Sequence, residues 1–252
     1  MLQRILGCAG VFALAASLSA QTTAPQWSLL TFVQIKPDCR MEYEATAKEI
    51  SAAYKKGGAS SRVVVQTVLG DLMEYTSIVP LGKFAEMDAP SPLVKALGDA
   101  GSQRILKKSG ACLNAVRREA VLEMPDITMN DPSEQDGEYA HVITWKLLPG
   151  KASEFTAFMK DDYLPMLRKA GVKNFWVSRP IFGGDLDVRY TVRPLHKVGD
   201  LDVGPLTTKA LGAEGARALG MKQSMIVEST HYSIVRVRPD LSLMPAPPPA
   251  AK

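Results

Sequence analysis
Between Trp27 and Met244 two kinds of hydrophobic pattern alternate along the chain. Short runs rich in Val, Ile, Thr and aromatic residues predict strands, and longer stretches with apolar residues three and four apart predict helices. The second half shows the order well. Residues 139–148 hold Val142, Ile143, Thr144 and Trp145 and predict a strand, stopped by Pro149-Gly150. In 154–170, Phe155, Phe158, Met159, Tyr163, Met166 and Leu167 form a helical stripe, and Gly171 follows it. Pro165 inside the stripe predicts a kink or a late helix start. Two runs, 174–182 and 186–192, flank Gly183-Gly184-Asp185 and predict a hairpin. A second helix opens at Gly204-Pro205, with Gly212 and Gly215 weakening its middle, and 226–237 is the last strand. The first half predicts the same order: strand 28–36, helix 41–55, hairpin strands 62–69 and 72–79, a helix capped by Ser91 with Pro92 in its first turn, and strand 113–123.

The halves also share residues at a fixed spacing. Lys95-Ala96-Leu97-Gly98 with Gly101 returns as Lys209-Ala210-Leu211-Gly212 with Gly215, an offset of 114. The same offset matches Gly70-Asp71-Leu72 with Gly184-Asp185-Leu186, Pro80-Leu81 with Pro194-Leu195, and Pro125-Asp126 with Pro239-Asp240. Such a diagonal predicts one unit written twice, over 27–129 and 139–244. The polar stretch 130–138, which includes Asn130, Pro132 and Gly137, reads as the linker.

Strand, helix, strand, strand, helix, strand is the ferredoxin-like unit, whose helices cover one face of a four-stranded sheet. The first strand carries apolar residues on both faces, with Leu29, Val33 and Ile35 on one and Leu30 and Phe32 on the other, so the second face must be covered too. Two such sheets in one chain can cover each other. The expected fold is therefore α+β: two tandem ferredoxin-like βαββαβ repeats forming a fused, pseudo-two-fold, dimeric-type α/β barrel. On the topology, the repeated Gly-Asp-Leu hairpin, and the Pro-Leu-x-Lys and Lys-Ala-Leu-Gly segments, the chain resembles the dimeric α/β-barrel superfamily. That superfamily includes antibiotic-biosynthesis-type monooxygenases, EthD-like and NIPSNAP-like proteins, and the haem-binding chlorite dismutase group. The resemblance looks strongest to its secreted bacterial members. It implies a fold and a cleft for a small apolar ligand or haem; the matching segments carry no catalytic residue.

Composition adds limits. The 252 residues are 46% hydrophobic and 22% charged, an ordinary globular balance. A net charge of +4 without long basic runs gives no reason to expect nucleic acid. Residues 1–20, with Arg4, an apolar stretch from Ile5 to Ala16 and small residues at Ser17 and Ser19, read as a secretory signal peptide cut near Ala20. Cys8 stands at the start of the apolar region, which is the wrong end for lipid attachment. Residues 21–26 then form a flexible leader, and 245–252 a disordered Pro/Ala tail. No later segment is apolar enough to span a bilayer. An exported protein, periplasmic or extracellular, is expected.

Candidate chemistry is sparse. G-x-S-x-G, H-E-x-x-H and G-x-x-x-x-G-K-[ST] are all absent from the sequence. Three histidines and three cysteines leave little for a metal site, and none is expected. His141 and Trp145 share a strand face, His231 and Tyr232 lie on the neighbouring last strand, and Trp176, Arg189 and Tyr190 lie on the hairpin. His141, His231 and Tyr232 are the catalytic candidates, and Trp145, Trp176, Arg189 and Tyr190 the ligand-binding ones. These residues place the expected site in the second half. Each has a plainer reading as core or half-buried sheet. Arg117, Arg118, Arg236 and Arg238 read as a solvated edge or inter-sheet salt bridges. No cofactor is expected; haem needs an axial ligand, and nothing local marks His196 as one.

Three functions follow in order: an exported protein binding a small apolar molecule, a cofactor-independent monooxygenase- or isomerase-like enzyme, and a structural protein that meets partners. Oligomeric state is left open. Cys39 follows the first strand and Cys112 precedes the last strand of its unit. Those strands are antiparallel neighbours in this topology, so a Cys39–Cys112 disulfide is expected in an oxidising compartment; the alternative is two buried thiols.

Overall fold
The computed structural model describes residues 26–134 and 137–244. The expected signal peptide, the leader up to residue 25, residues 135 and 136 of the linker, and the tail from 245 lie outside the described residues.

The first half runs β1 (Trp27–Ile35), α1 (Arg40–Lys56), β2 (Val63–Leu69), β3 (Glu74–Leu81), α2 (Pro92–Ala111) and β4 (Leu113–Glu123). The second runs β5 (Tyr139–Leu147), α3 (Ala152–Phe158), α4 (Leu164–Lys169), β6 (Trp176–Phe182), β7 (Val188–Leu195), α5 (Leu206–Ser224) and β8 (Val227–Val237). A π-helical turn, Met159–Tyr163, joins α3 to α4, and Pro165 falls in the first turn of α4. The helix runs on through this turn, where the Leu164 N–H reaches back five residues to the Met159 carbonyl, and the wider turn lets the chain pass Pro165, which has no N–H to give. Ser91 caps α2 by accepting from the Val94 N–H at 3.3 Å. Both long helices are broken at the paired glycines, Gly98 (φ 67°) and Gly212 (φ 71°), a left-handed conformation that other residues resist. Strands β3 and β7 begin two residues later than the hydrophobic pattern predicts. Asp71 and Asp185 accept from the Met73 and Asp187 N–H groups and turn the chain first.

The eight strands close into one antiparallel barrel in the order β1-β3-β2-β8-β5-β7-β6-β4. Within each half the hairpins and the β1–β4 and β5–β8 pairs form a ferredoxin-like sheet. Two further pairs join the sheets: β2 with β8, from Val65 opposite Val237 to Leu69 opposite Ile234, and β4 with β6, from Ala120 opposite Phe182 to Glu123 opposite Ser178. The helices pack outside. Trp145, Leu147, Phe155, Phe158 and Leu167 anchor the outer core of the second half, and Ile35, Tyr43, Val64 and Tyr75 that of the first.

Each half is completed by the other. Ile127, in the turn after β4, is fully buried in the core of the second half. Leu241, in the turn after β8, is fully buried in the core of the first. Ser51 on α1 donates to the Leu241 carbonyl at 2.6 Å. The buried Arg62 donates to both Ser51 Oγ and that carbonyl, and Arg238 forms a two-pronged ion pair with Glu44 on α1. Such forked contacts are stronger than single ones and hold the end of β8 to the opposite half.

Cys39 and Cys112 are joined by a disulfide, with Cα atoms 5.3 Å apart, as strand neighbourhood led us to expect. The bond closes a loop of 73 residues. In the chain-entropy picture such a loop stabilises the fold by about 4 kcal/mol. We expect Cys39→Ser/Cys112→Ser to lose stability on that scale in urea unfolding; an unchanged midpoint would count against the bond.

Candidate functional site
The barrel encloses a cavity of about 640 Å³, within the range that holds small molecules. Strand alternation decides its lining. On β1, Ser28, Leu30 and Phe32 point inward while Val33 and Ile35 face the helices; on β5, Val142 and Thr144 point inward. The middle of the wall is aliphatic, built from Leu30, Val65, Ile78, Val142, Val192 and Val235. The end at which β1 begins is here the lower end, and the end at which it finishes the upper.

Towards the upper end lies a charged and aromatic cluster. Arg117 Nε is 3.1 Å from Glu119 Oε1, and the guanidinium lies 4.2 Å from the centre of the Phe32 ring. The Tyr190 hydroxyl donates to Glu119 Oε2 at 2.9 Å. Glu119 is only 2% exposed, so these two partners stand in for the water its carboxyl has lost. The β6–β7 turn folds over this carboxyl. A Cβ on Gly184 would lie 2.6 Å from Glu119 Cδ, and one on Gly183 (φ +81°) 2.2 Å from the Arg118 carbonyl oxygen. The two glycines read as turn residues in the sequence are also the space the carboxyl occupies. Glu74, also on the wall, is raised from the usual carboxylate range by burial and by Asp71, with Arg117 and His231 acting against the shift. At the lower end Glu123 lines the cavity beside Gln26, Trp27 and Ser178, and burial pushes its pKa up to about 7.

The structure divides the sequence candidates by strand face. His231, Tyr190 and Trp176 line the cavity. His141, Trp145, Arg189 and Tyr232 lie on the opposite, outer side of the sheet. Trp145 is 1% exposed, packs against Phe155 and Tyr163, and donates to Thr191 Oγ1 at 3.0 Å, as core. Arg189, opposite Trp145 in register, donates to the Leu186 and Val188 carbonyls. His141 stacks on Tyr232 with ring centres 5.7 Å apart, and burial together with Arg193 pushes its pKa down to about 4. His141 and His231 therefore do not converge: Thr144, not His141, stands opposite His231. Adjacent residues on a strand point to opposite faces, which also parts His231 from Tyr232.

One correction follows. The cavity is built by both halves rather than by the second alone. Arg117, read as a solvated edge or inter-sheet bridge, is more than half exposed at the cavity mouth, and its ion pair is with Glu119 on the same strand. The offset of 114 offered the signal, because Arg117 stands at the place of His231 in the other unit. The other arginines pair or bond outside: Arg118 with Thr31, Arg236 with Glu138, Arg238 with Glu44 and Asp240. Glu74, Glu119 and Glu123 were missed because an acidic residue on a strand reads as solvent-facing. Among the described residues no helix is long and apolar enough to cross a membrane, and no group of His, Cys, Asp or Glu is arranged to hold a metal ion.

No protein-family model matches the chain, and no curated protein matches it. Solved structures do share the fold. An anthrone oxidase-like protein superposes with a TM-score of 0.60 at 11% identity, covering 91% of this chain and 98% of its own. A proposed monooxygenase from Lactobacillus acidophilus NCFM gives 0.56 at 9%, covering 88% and 97%. Chlorite dismutase from Candidatus Nitrospira defluvii, in complex with imidazole, gives 0.53 at 11%, covering 87% and 93%. At these identities the likeness shows a dimeric-α/β-barrel-type fold and nothing about the reaction.

Haem, implied as one ligand by the resemblance, needs an axial ligand facing an apolar slot. His196 lies in a surface loop with Nε2 3.3 Å from Glu134. His141 is stacked on Tyr232 outside the barrel wall. His231 does face the cavity, but in the part of the wall that carries Glu74 and Asp71. The carboxylates give that histidine no apolar slot and oppose haem propionates, so the residues present do not fit haem.

Two substitutions test the site. Gly184→Ala should drive a methyl into the Glu119 carboxyl and cost about 1–3 kcal/mol in urea unfolding; wild-type stability would contradict the contact. Glu123, with its proton held more tightly in the folded chain, makes stability fall as pH rises from the ordinary carboxylate range through about 7. Glu123→Gln should flatten that fall in thermal unfolding between about pH 5 and pH 8, and parallel curves would sink the assignment.

Proposed function
We propose that this chain is a small-molecule-binding α/β barrel whose ligand is a mainly apolar body held inside the barrel. One observation carries this reading: a cavity of about 640 Å³ whose middle is aliphatic and whose ends are polar. Aliphatic walls favour an apolar body by about 25 cal/mol per Å² removed from water, and the few polar groups orient it. We also propose that the protein is exported after cleavage near Ala20 and that it arose as two tandem units. The pattern of residues 1–20 supports the first and the spaced matches between halves the second.

A second reading is a cofactor-independent oxygenase- or isomerase-like enzyme. Its support is His231, a potential base facing the cavity, together with the names of two fold neighbours, a proposed monooxygenase and an anthrone oxidase-like protein. In this reading His231 takes a proton from an acidic C–H or O–H of the ligand, and the aliphatic wall holds the reacting carbon.

A thermal-shift screen of neutral apolar compounds tests the first reading. A ligand present at about a hundred times its Kd should add about 2.7 kcal/mol. Val142→Trp, which fills the middle of the cavity, should fold but lose the shift. Absence of stabilisation by every compound, or full retention in Val142→Trp, would overturn cavity binding. For the second reading, His231→Ala should cut turnover of any substrate found by roughly 100-fold or more; unchanged turnover would remove His231 as the base.

A further inference from the structure
Inside the barrel, strand register sets equivalent pairs in the two halves. Between β1 and β4, Phe32 stands opposite Arg117; between β5 and β8, Thr144 stands opposite His231. All four line the cavity. In the first pair the polar group is already spent, because Arg117 lies over the Phe32 ring and is bound to Glu119. The second pair is open. His231 is exposed and Thr144 half-buried. Among the described residues neither the imidazole nor the threonine hydroxyl has a hydrogen-bond partner.

Residues directly opposite on one face of an antiparallel pair have Cβ atoms about 5 Å apart. One small ligand group between Thr144 and His231 therefore reaches both. Their neighbours on the wall do not compete for it. Tyr190, on the other side of Thr144, gives its hydroxyl to Glu119. Ser233, two residues along from His231, lies under the turn after β2, where a Cβ on Gly70 would come 3.3 Å from the serine Cβ. Further down the barrel the wall is aliphatic, with Val142, Val192 and Val235.

The chemistry of the pair narrows what it takes. A neutral imidazole accepts through one ring nitrogen, and a free threonine hydroxyl can donate. A ligand hydroxyl meets both, since its oxygen accepts from Thr144 while its hydrogen points to His231. An ether or ketone oxygen would use only the threonine. A carboxylate would need a charged His231, and would stand in the field of Glu74, the wall carboxyl near enough to His231 to act on it.

We propose that Thr144 and His231 form one subsite, which binds the hydroxyl of a neutral, mainly apolar ligand. Thr144 donates to the ligand oxygen and His231 accepts from the ligand O–H, while the hydrocarbon body runs down the barrel along Val142, Val192 and Val235. The subsite rests on the cavity-binding reading above and adds to it the head group and its seat.

2-Naphthol and 2-methylnaphthalene have nearly one shape, and only the first carries a hydroxyl. Equilibrium dialysis against the purified protein measures the affinity of each. Thr144→Val keeps the shape of the side chain and removes its hydroxyl. It should weaken 2-naphthol roughly fivefold, the loss of one neutral hydrogen bond, and leave 2-methylnaphthalene unchanged. His231→Leu should act in the same way. Thr144→Ser, which keeps a hydroxyl, should bind 2-naphthol as the wild type does. Thermal unfolding confirms that each variant folds. Unchanged 2-naphthol binding in Thr144→Val or His231→Leu overturns the subsite, as does an equal loss of both probes in either variant. A loss in Thr144→Ser as large as that in Thr144→Val also counts against it. Tighter binding of 2-naphthoate than of 2-naphthol overturns it in favour of an anion site. Each of these results leaves cavity binding standing. If no naphthalene probe binds, the subsite falls; if the broader screen also finds no ligand, the cavity reading falls with it.

Discussion
Closure of the barrel through the β2–β8 and β4–β6 pairs is the constraint on which the rest of the molecule depends. A ferredoxin-like sheet alone would leave β2 and β4 as open edges and one apolar face in water. Joining two sheets edge to edge pairs those backbone groups and turns both bare faces inward at once. The cavity is a by-product of that geometry. Eight strands leave an interior just wide enough for side chains or one small ligand. Here short side chains, mostly valines, serines and threonines, line much of the wall and leave the centre open.

Closure alone would let the halves slide in register. The reciprocal insertion of Ile127 and Leu241 prevents it, since each is fully buried in the core of the other half. Around Leu241 the inserted turn is held by polar contacts as well: Ser51 and Arg62 meet its carbonyl, and Arg238 meets Glu44. The disulfide between Cys39 and Cys112 ties the end of β1 to the start of β4. The covalent link sits at the upper rim, beyond Phe32 and Arg117, and fixes the two strands that carry the Arg117–Glu119 cluster.

That cluster explains how a cavity can be apolar in its middle and acidic in its lining. Glu119 is buried at the cost of its hydration and recovers it through Arg117 and Tyr190. Arg117 lies two residues from Glu119 on the same strand, whereas Tyr190 comes from the other half, so the second partner is supplied only in the closed barrel. Gly183 and Gly184 make room for the carboxyl. The Tyr190 contact is a result of assembly and is absent from either unit alone.

Local pattern determined much about this protein: the eight strands and the main helices, the glycines that break α2 and α5, the cap at Ser91, and the neighbourhood of Cys39 and Cys112. These follow from periodicity, turn chemistry and short-range order, which act within one unit. Which wall residues face one another was decided only by the tertiary structure. His141 and His231 looked like partners because their strands are neighbours, but the register sets Thr144 against His231 and sends His141 to the outer face. Glu119 and Glu123 drew no reading, because an acidic residue on a strand of a single sheet ordinarily meets water on the open side. In a closed barrel that side is the interior, and pairing across halves, with no signature in local spacing, settles whether a charge there meets water, a partner or a ligand.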